Sequence, residues 1–378
     1  MNFNKYIKPV VIVTGFLLFP ACEKEVSLHD VDRELPVLIQ DYNIPSVAAC
    51  IVKNGTVVWS EYYGYSNREQ ELPAGDETIY HIASISKLFI LTAVMQLEEQ
   101  GKIDLDEDIS NYLPVLFRHP QFPEVQITTR MLLTHTAGLS WPQSYDGEQG
   151  MWNDFDPDQG PSPSEWVPQF LIPAGMNYDA DLWKPVRPGT TELYSNIGIC
   201  VVAYLLEVIS GTGYRAYCRD HIFIPLGMNS TSYNYADLDQ DKIAIMYNSQ
   251  DKGTLYFDNR VYAAGGVKTT VNDLSRFAIC YLNKGNLDGI RILQESTIDR
   301  IFELQNPVTG RCLAWKVYPG EWFGHTGGLL LGASTTLVIH PGIKEAIIIF
   351  ANSYSGLIAP GGDIYRLVKQ KANEFADS

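Results

Sequence analysis

The stretch "HIASISKLFILTAVMQLEEQ", His81 to Gln100, decides how the rest of the chain is read. Ile85, Leu88, Phe89, Leu91, Val94 and Leu97 recur at helical spacing and predict a buried helix that Gly101 ends. Ser84 stands just before this run and Lys87 three residues later, on the same side of the helix. A hydroxyl is a poor nucleophile until something takes its proton. A lysine does so if burial or another cation lowers its pKa. The free backbone N–H groups at a helix N-terminus also favour a developing oxyanion. The spacing by itself is a weak signal, because Ser249 and Lys252 in "NSQDKG" repeat it in a polar turn with no helix behind it.

Around this stretch the pattern is strand-rich at both ends and helical in the middle. An amphipathic helix is predicted over Val31 to Asp41, then two β-rich runs on either side of Asn54-Gly55, a strong hairpin signal. "SNIGICVVAYLLEVISG" predicts a buried helix stopped by Gly211. "TTVNDLSRFAICYLNKG" predicts another, with Thr270 as N-cap and Asp273 completing a capping box. Strands return in "GASTTLVIH" and "KEAIIIFAN", with a turn at Pro341-Gly342, and a last helix is expected from Asp363 to Phe375. Between Leu139 and Gly189 the periodicity dissolves into a Pro-, Gly-, Asp- and aromatic-rich segment that predicts a long loop. Its Trp141, Tyr145, Trp152, Phe155, Trp166, Tyr178 and Trp183 offer either packing or a surface for a flat acceptor, packing being the expectation.

The expected fold is therefore α+β: an antiparallel sheet flanked by N- and C-terminal helices, with an inserted, mostly helical domain. The expected division is a signal segment over 1–22, a sheet domain from 23–80 plus 255–378, and an inserted domain over 81–254 with the active site at the junction.

The 378 residues carry a formal net charge of −16 and no basic run beyond the first residues, which argues against a nucleic-acid partner. Those first residues read as a targeting signal. Lys5 and Lys8 precede the apolar stretch "PVVIVTGFLLFPA", and Ala21-Cys22 resembles a bacterial lipoprotein signal, with Cys22 as the lipidated residue; the alternatives are a plain secretory signal or an N-terminal anchor, with Cys22 incidental. Export to the periplasm or cell surface and membrane attachment through that anchor are the expectations. Cys50, Cys200, Cys218, Cys280 and Cys312 are odd in number and lie mostly in apolar contexts, so they read as buried hydrophobes and not as a disulfide framework. No Cys or His pair has zinc-ligand spacing, so neither a metal nor a cofactor is expected.

Two further elements add chemistry. In "RPGTTELYSNIGIC", Tyr194 and Asn196 are two apart and project the same way from an extended segment. The phenol can relay a proton and the amide can hold a substrate carbonyl. Tyr65-Ser66-Asn67 repeats the tripeptide, but at the end of a hairpin strand and before the serine. His325-Thr326-Gly327-Gly328 precedes a late strand, where small residues on an edge let a substrate backbone approach.

S-x-x-K on a helix, then Y-x-N, then [KH]-T-G near a late strand resembles the penicillin-recognising serine enzymes. The likeness is to the branch with class C β-lactamases, D-Ala-D-Ala carboxypeptidases and β-lactamase-like esterases. "IYHIASISK", "TTRMLLTHTAGLS", "FIPLGMNST" and "AAGGVKTTVNDLSRF" extend it over nearly everything from Val31 onward. The resemblance implies an acyl-enzyme on Ser84, with Lys87 and Tyr194 sharing acid/base work. It implies Asn196 positioning Lys87 and substrate, His325 and Thr326 meeting the leaving side or a substrate carboxylate, and an oxyanion hole from the N–H groups of Ser84 and Gly328. Tyr194 acts as a base only if nearby positive charge lowers its pKa well below ~10.

Two departures bear on substrate. His325 stands where most β-lactamases of this branch have lysine, and Ala351 to Ile364 contains no Lys or Arg. Both count against a specialised antibiotic-destroying enzyme. The expected function is an exported serine hydrolase cleaving an amide or ester: a β-lactam, a D-Ala peptide or a small ester. The alternatives are an acyltransferase passing the acyl group to a sugar or sterol-like alcohol or an amine, and a non-catalytic penicillin- or cell-wall-peptide-binding receptor. A structural lipoprotein without activity is disfavoured by the joint presence of Ser84, Lys87, Tyr194 and Asn196. The oligomeric state is left open.

Overall fold

The computed structural model describes residues 31–140, 154–254, 258–306 and 309–375. The signal segment with Cys22, and Trp141, Tyr145 and Trp152 of the insertion, lie outside the described residues.

Helix α1 (Val31–Asp41) lays Val31, Leu35 and Ile39 into the core at helical spacing. It leads into β1 (Ser46–Lys53), which pairs with β2 (Thr56–Asn67) through the expected hairpin. Asn54 and Gly55 both have positive φ, as a two-residue turn matched to strand twist requires. The short β3 (Leu72–Pro73) completes this edge. Helix α2 (Lys87–Glu99) follows a one-turn 3-10 segment over Ala83–Ser86, so Ser84 precedes the α-helix proper.

The segment expected as a long loop holds one more helix, α3 (Pro163–Leu171). Ser162 and Glu165 form a complete capping box at its start and Pro163 occupies its first turn, where the missing N–H costs nothing. Trp166 and Trp183 are buried, and the Trp183 indole donates to Leu171 O at 3.2 Å, so both serve packing. Helix α4 (Asn196–Ser210) is capped by Ser195, and Gly211 closes it in the left-handed conformation. Helix α5 (Val271–Leu282) has Thr270 as N-cap, its side chain accepting from Asp273 N–H. The Asp273 carboxylate instead turns to Ser230 N–H and the Thr231 hydroxyl, which makes the cap one-sided.

The C-terminal part supplies β4 (Lys316–Tyr318), β5 (Trp322–Leu329), β6 (Ala333–His340) and β7 (Glu345–Ala351), then α6 (Asp363–Asn373). The seven strands form one sheet in the order β4-β5-β6-β7-β1-β2-β3, antiparallel throughout. β1 is central and apolar on both faces, as a strand covered on both sides must be. Val47, Ala49 and Ile51 meet α1 and α6 on one face. Ala48, Cys50 and Val52 face α5 on the other, in a single apolar cluster that runs from the sheet on to α2 and α4. Burial of this kind contributes roughly 25 cal/mol per Å² of apolar surface removed from water.

β4 covers only Trp322 to Gly324, which leaves His325 to Leu329 as an open sheet edge. The five cysteines among the described residues are free and buried. No single helix among the described residues is long and apolar enough to cross a membrane.

Candidate active site

The site is built where the chain leaves the sheet for α2. Ala83 has φ +46, a left-handed conformation that costs a residue with a Cβ about 1–2 kcal/mol. Strain of this kind concentrates where the surrounding packing holds it in place. That packing comes from β5: a Cβ on Gly327 would lie 2.3 Å from Ile82 O and 3.0 Å from the Ala83 Cβ. The Thr335 hydroxyl donates to the same Ile82 carbonyl at 2.9 Å. Only glycine lets the strand pass this close, and the next residue, Gly328, is thereby set beside the turn that carries Ser84.

Ser84 Oγ is met by two donors. Lys87 Nζ lies 2.8 Å away and the Tyr194 hydroxyl 3.0 Å away. Lys87 is completely buried, and its second hydrogen bond goes to the Ala264 carbonyl at 2.8 Å. Among the described residues no carboxylate pairs with it. Burial therefore lowers its pKa from the ordinary lysine value, an effect opposed by the neighbouring Tyr194. The ammonium also lies 5.1 Å from the centroid of the Tyr194 ring.

Asn196 opens α4 immediately after the cap residue, and its Oδ1 is buried without a protein partner. The expected hydrogen bond from Asn196 to Lys87 is not made: the ammonium is held by Ala264, in the 3-10 turn Tyr262–Ala264, instead.

His325 is buried on the same face of β5 as Gly327, with Nδ1 2.7 Å from Thr326 O. Burial, together with the charge on Lys87, pushes its pKa down to about 3. His325 is thus neutral at pH 7, and not the cation that a lysine would be there. Thr326 pairs with Thr336 and leaves on the opposite face, the face of Trp322 and Tyr318. The structure groups Ser84, Lys87, Tyr194, His325 and Gly327 on one side of the strand and turns the Thr326 side chain to the other. The repeated motifs lie elsewhere: Tyr65 is an exposed residue at the end of β2, and Ser249 sits in a turn closed by Asn248 and Lys252.

Three contributors escape a reading by motif. His135, in "TTRMLLTHTAGLS", accepts Leu193 N–H on its carbonyl at 2.7 Å and Ser195 N–H on its Nδ1 at 3.2 Å. Its ring lies 4.5 Å from that of Tyr194. Ala264 anchors Lys87 through a backbone atom, which no side-chain pattern reveals. Arg311 and Glu192 form a nearly buried ion pair at 2.7 Å, two residues before Tyr194. Nothing in the spacing of His135 points to Tyr194.

The sequence profile described as Beta-lactamase matches residues 31–368. The Bacillus subtilis (strain 168) protein named "Putative penicillin-binding protein PbpX" is 24% identical over 357 residues, covering 92% of this chain and 81% of that protein. Serine beta-lactamase-like protein LACTB, mitochondrial, of Homo sapiens is 28% identical over 403 residues, covering 82% of this chain and 71% of that protein. A solved class C beta-lactamase aligns with a TM-score of 0.72 at 21% identity, covering 95% of this chain and 99% of its own, a likeness of fold. With a profile match that runs from α1 into α6, this chain belongs to the Beta-lactamase family.

Proposed function

We propose that this protein is an exported serine acyl hydrolase that cleaves an ester or amide through an acyl-enzyme on Ser84. The observation that carries the reading is the pair of contacts on one oxygen: Lys87 Nζ at 2.8 Å and the Tyr194 hydroxyl at 3.0 Å from Ser84 Oγ. In the neutral state that burial favours, the Lys87 amine takes the hydroxyl proton as Oγ attacks the substrate carbonyl carbon. The negative charge that forms on the carbonyl oxygen is met by the N–H groups of Ser84 and Gly328. The proton passes by way of Tyr194 or Lys87 to the leaving oxygen or nitrogen as its bond to carbon breaks. Water repeats the sequence on the ester carbon, giving the free acid and restoring Ser84. Asn196, with a buried amide oxygen that has no protein partner, is placed in the reading as a contact to the substrate.

The test is covalent. A fluorophosphonate should add to Ser84, located by mass spectrometry, and Ser84→Ala should abolish both that adduct and ester turnover. Unchanged labelling of the alanine variant would end the assignment. Turnover that stops after one equivalent would mark a receptor, and an alcohol-dependent product in place of the acid would mark an acyltransferase. Attachment to a membrane through Cys22 belongs to the same proposal and rests on the N-terminal sequence pattern.

A further inference from the structure

The charges around Ser84 narrow its substrate further, given the acyl-enzyme reading above. Among the described residues, the cations that weigh most on His325 are Lys87, Arg311 and Lys316. Lys87 is fully engaged with Ser84 and Ala264. Arg311 places both Nε and Nη2 on Glu192, at 3.1 and 2.7 Å, and Glu192 also accepts from the Thr309 hydroxyl. Lys316 pairs with Gly324, so its side chain leaves on the sheet face opposite His325.

His325 itself offers no charge. A carbonyl only accepts, so the Nδ1 that faces Thr326 O carries the ring proton. Nε2 is then a bare lone pair, and it is buried without a protein partner. In the sequence, residues 351–364 contain no Lys or Arg.

We infer that the Ser84 centre takes esters or amides whose acyl part is uncharged, and discriminates against substrates that carry a carboxylate near the scissile carbonyl. A carboxylate entering here loses hydration without gaining an unpaired cation. The net charge of −16 adds a weaker, salt-screened repulsion.

The experiment compares two esters of one acyl chain: p-nitrophenyl hydrogen adipate and p-nitrophenyl methyl adipate. The methyl ester should show a kcat/KM higher by at least about tenfold, largely persisting at high salt. His325→Lys should narrow the gap by raising kcat/KM for the carboxylate form. Equal or faster turnover of the carboxylate ester by the wild-type protein, in a Ser84-dependent manner, would overturn the inference and leave the acyl-enzyme reading standing. Absence of Ser84-dependent turnover of either ester, with no fluorophosphonate adduct, would remove both. The wild-type ratio decides even if the lysine variant fails to fold.

Discussion

His135 brackets Tyr194. Its carbonyl holds the N–H of the residue before the tyrosine, its Nδ1 holds the N–H of the residue after, and its ring lies against the phenol ring between. The direction in which Tyr194 meets Ser84 is thus set by a residue that does not touch Ser84. His135 also adopts φ +59, a conformation that asparagine tolerates far better than alanine does. His135→Ala should lower kcat for a good ester by about 10- to 100-fold with a smaller change in KM, as expected when a reacting group is misplaced. His135→Asn, whose Oδ1 can accept from Ser195 N–H, should recover a substantial part of that loss. Equal, severe loss in both variants would point to a collapsed fold and not to positioning, and circular dichroism would separate the two.

Lys87 works as a base only when neutral. Burial lowers its folded pKa below the ordinary value of 10.5, so the acylation rate should climb with pH through that lowered pKa. Arginine cannot supply the neutral form, so Lys87→Arg should lose about 10²- to 10⁴-fold in kcat/KM at every accessible pH. A pH profile of kcat/KM for one neutral ester checks both statements. Retained activity in the arginine variant would exclude Lys87 as the proton acceptor.

Acid should loosen the fold through its histidines. His81, His135 and His325 are buried, and burial pushes the pKa of each down. Below about 6.5 the unfolded chain binds protons that the folded chain refuses, so stability is lost as pH falls. For His325, with a folded pKa of about 3, the loss runs from about pH 6.5 down to about 3. Between pH 6.5 and 5 that single group removes about 2 kcal/mol. Urea unfolding should show His325→Gln losing correspondingly less stability than wild type over this interval. Parallel losses would mean that His325 is charged in the folded protein.

Ser249→Ala and Tyr65→Phe carry the motif residues without the surroundings. Neither should change kcat/KM by more than about twofold, since surface substitutions away from packed features are close to neutral. A tenfold loss from either would shift the assignment to the other copy.

Cys22→Ala tests the anchor separately from the chemistry. Expressed in a host that exports it, the variant should move from the membrane to the soluble fraction with its ester turnover unchanged. Continued sedimentation with membranes would exclude the lipid at Cys22.

What was legible in the sequence was local. The hairpin at Asn54-Gly55, the cap at Thr270 and the stop at Gly211 each depend on residues within a few positions, and each is present. Helix α3 was hidden by Pro163 and Pro168, which read as breakers, although Ser162 and Glu165 already spelled a capping box. The strand order joins residues hundreds of positions apart, and periodicity carries no information on partners. The same holds around Ser84. Lys87 is a helical neighbour and is evident, whereas His135, Ala264 and the Glu192–Arg311 pair arrive from distant segments and act mostly through backbone atoms or burial. The neutrality of His325 is of this kind too: the residue is visible in the chain, but the burial and neighbouring cations that fix its proton count are not.

The central strand carries one more consequence. Val47 pairs with Ala351, so the first strand of the sheet stays half-partnered until β7 has been made. Closing so long a loop is slow, because its entropy must be given up before the contact forms. β5, which presses on the Ala83 turn, is made just as late. A nascent or truncated chain therefore holds Ser84 and Lys87 on a helix without the strand that shapes their turn. The order of synthesis thus puts the helix that carries Ser84 and Lys87 well ahead of the strand that shapes their turn.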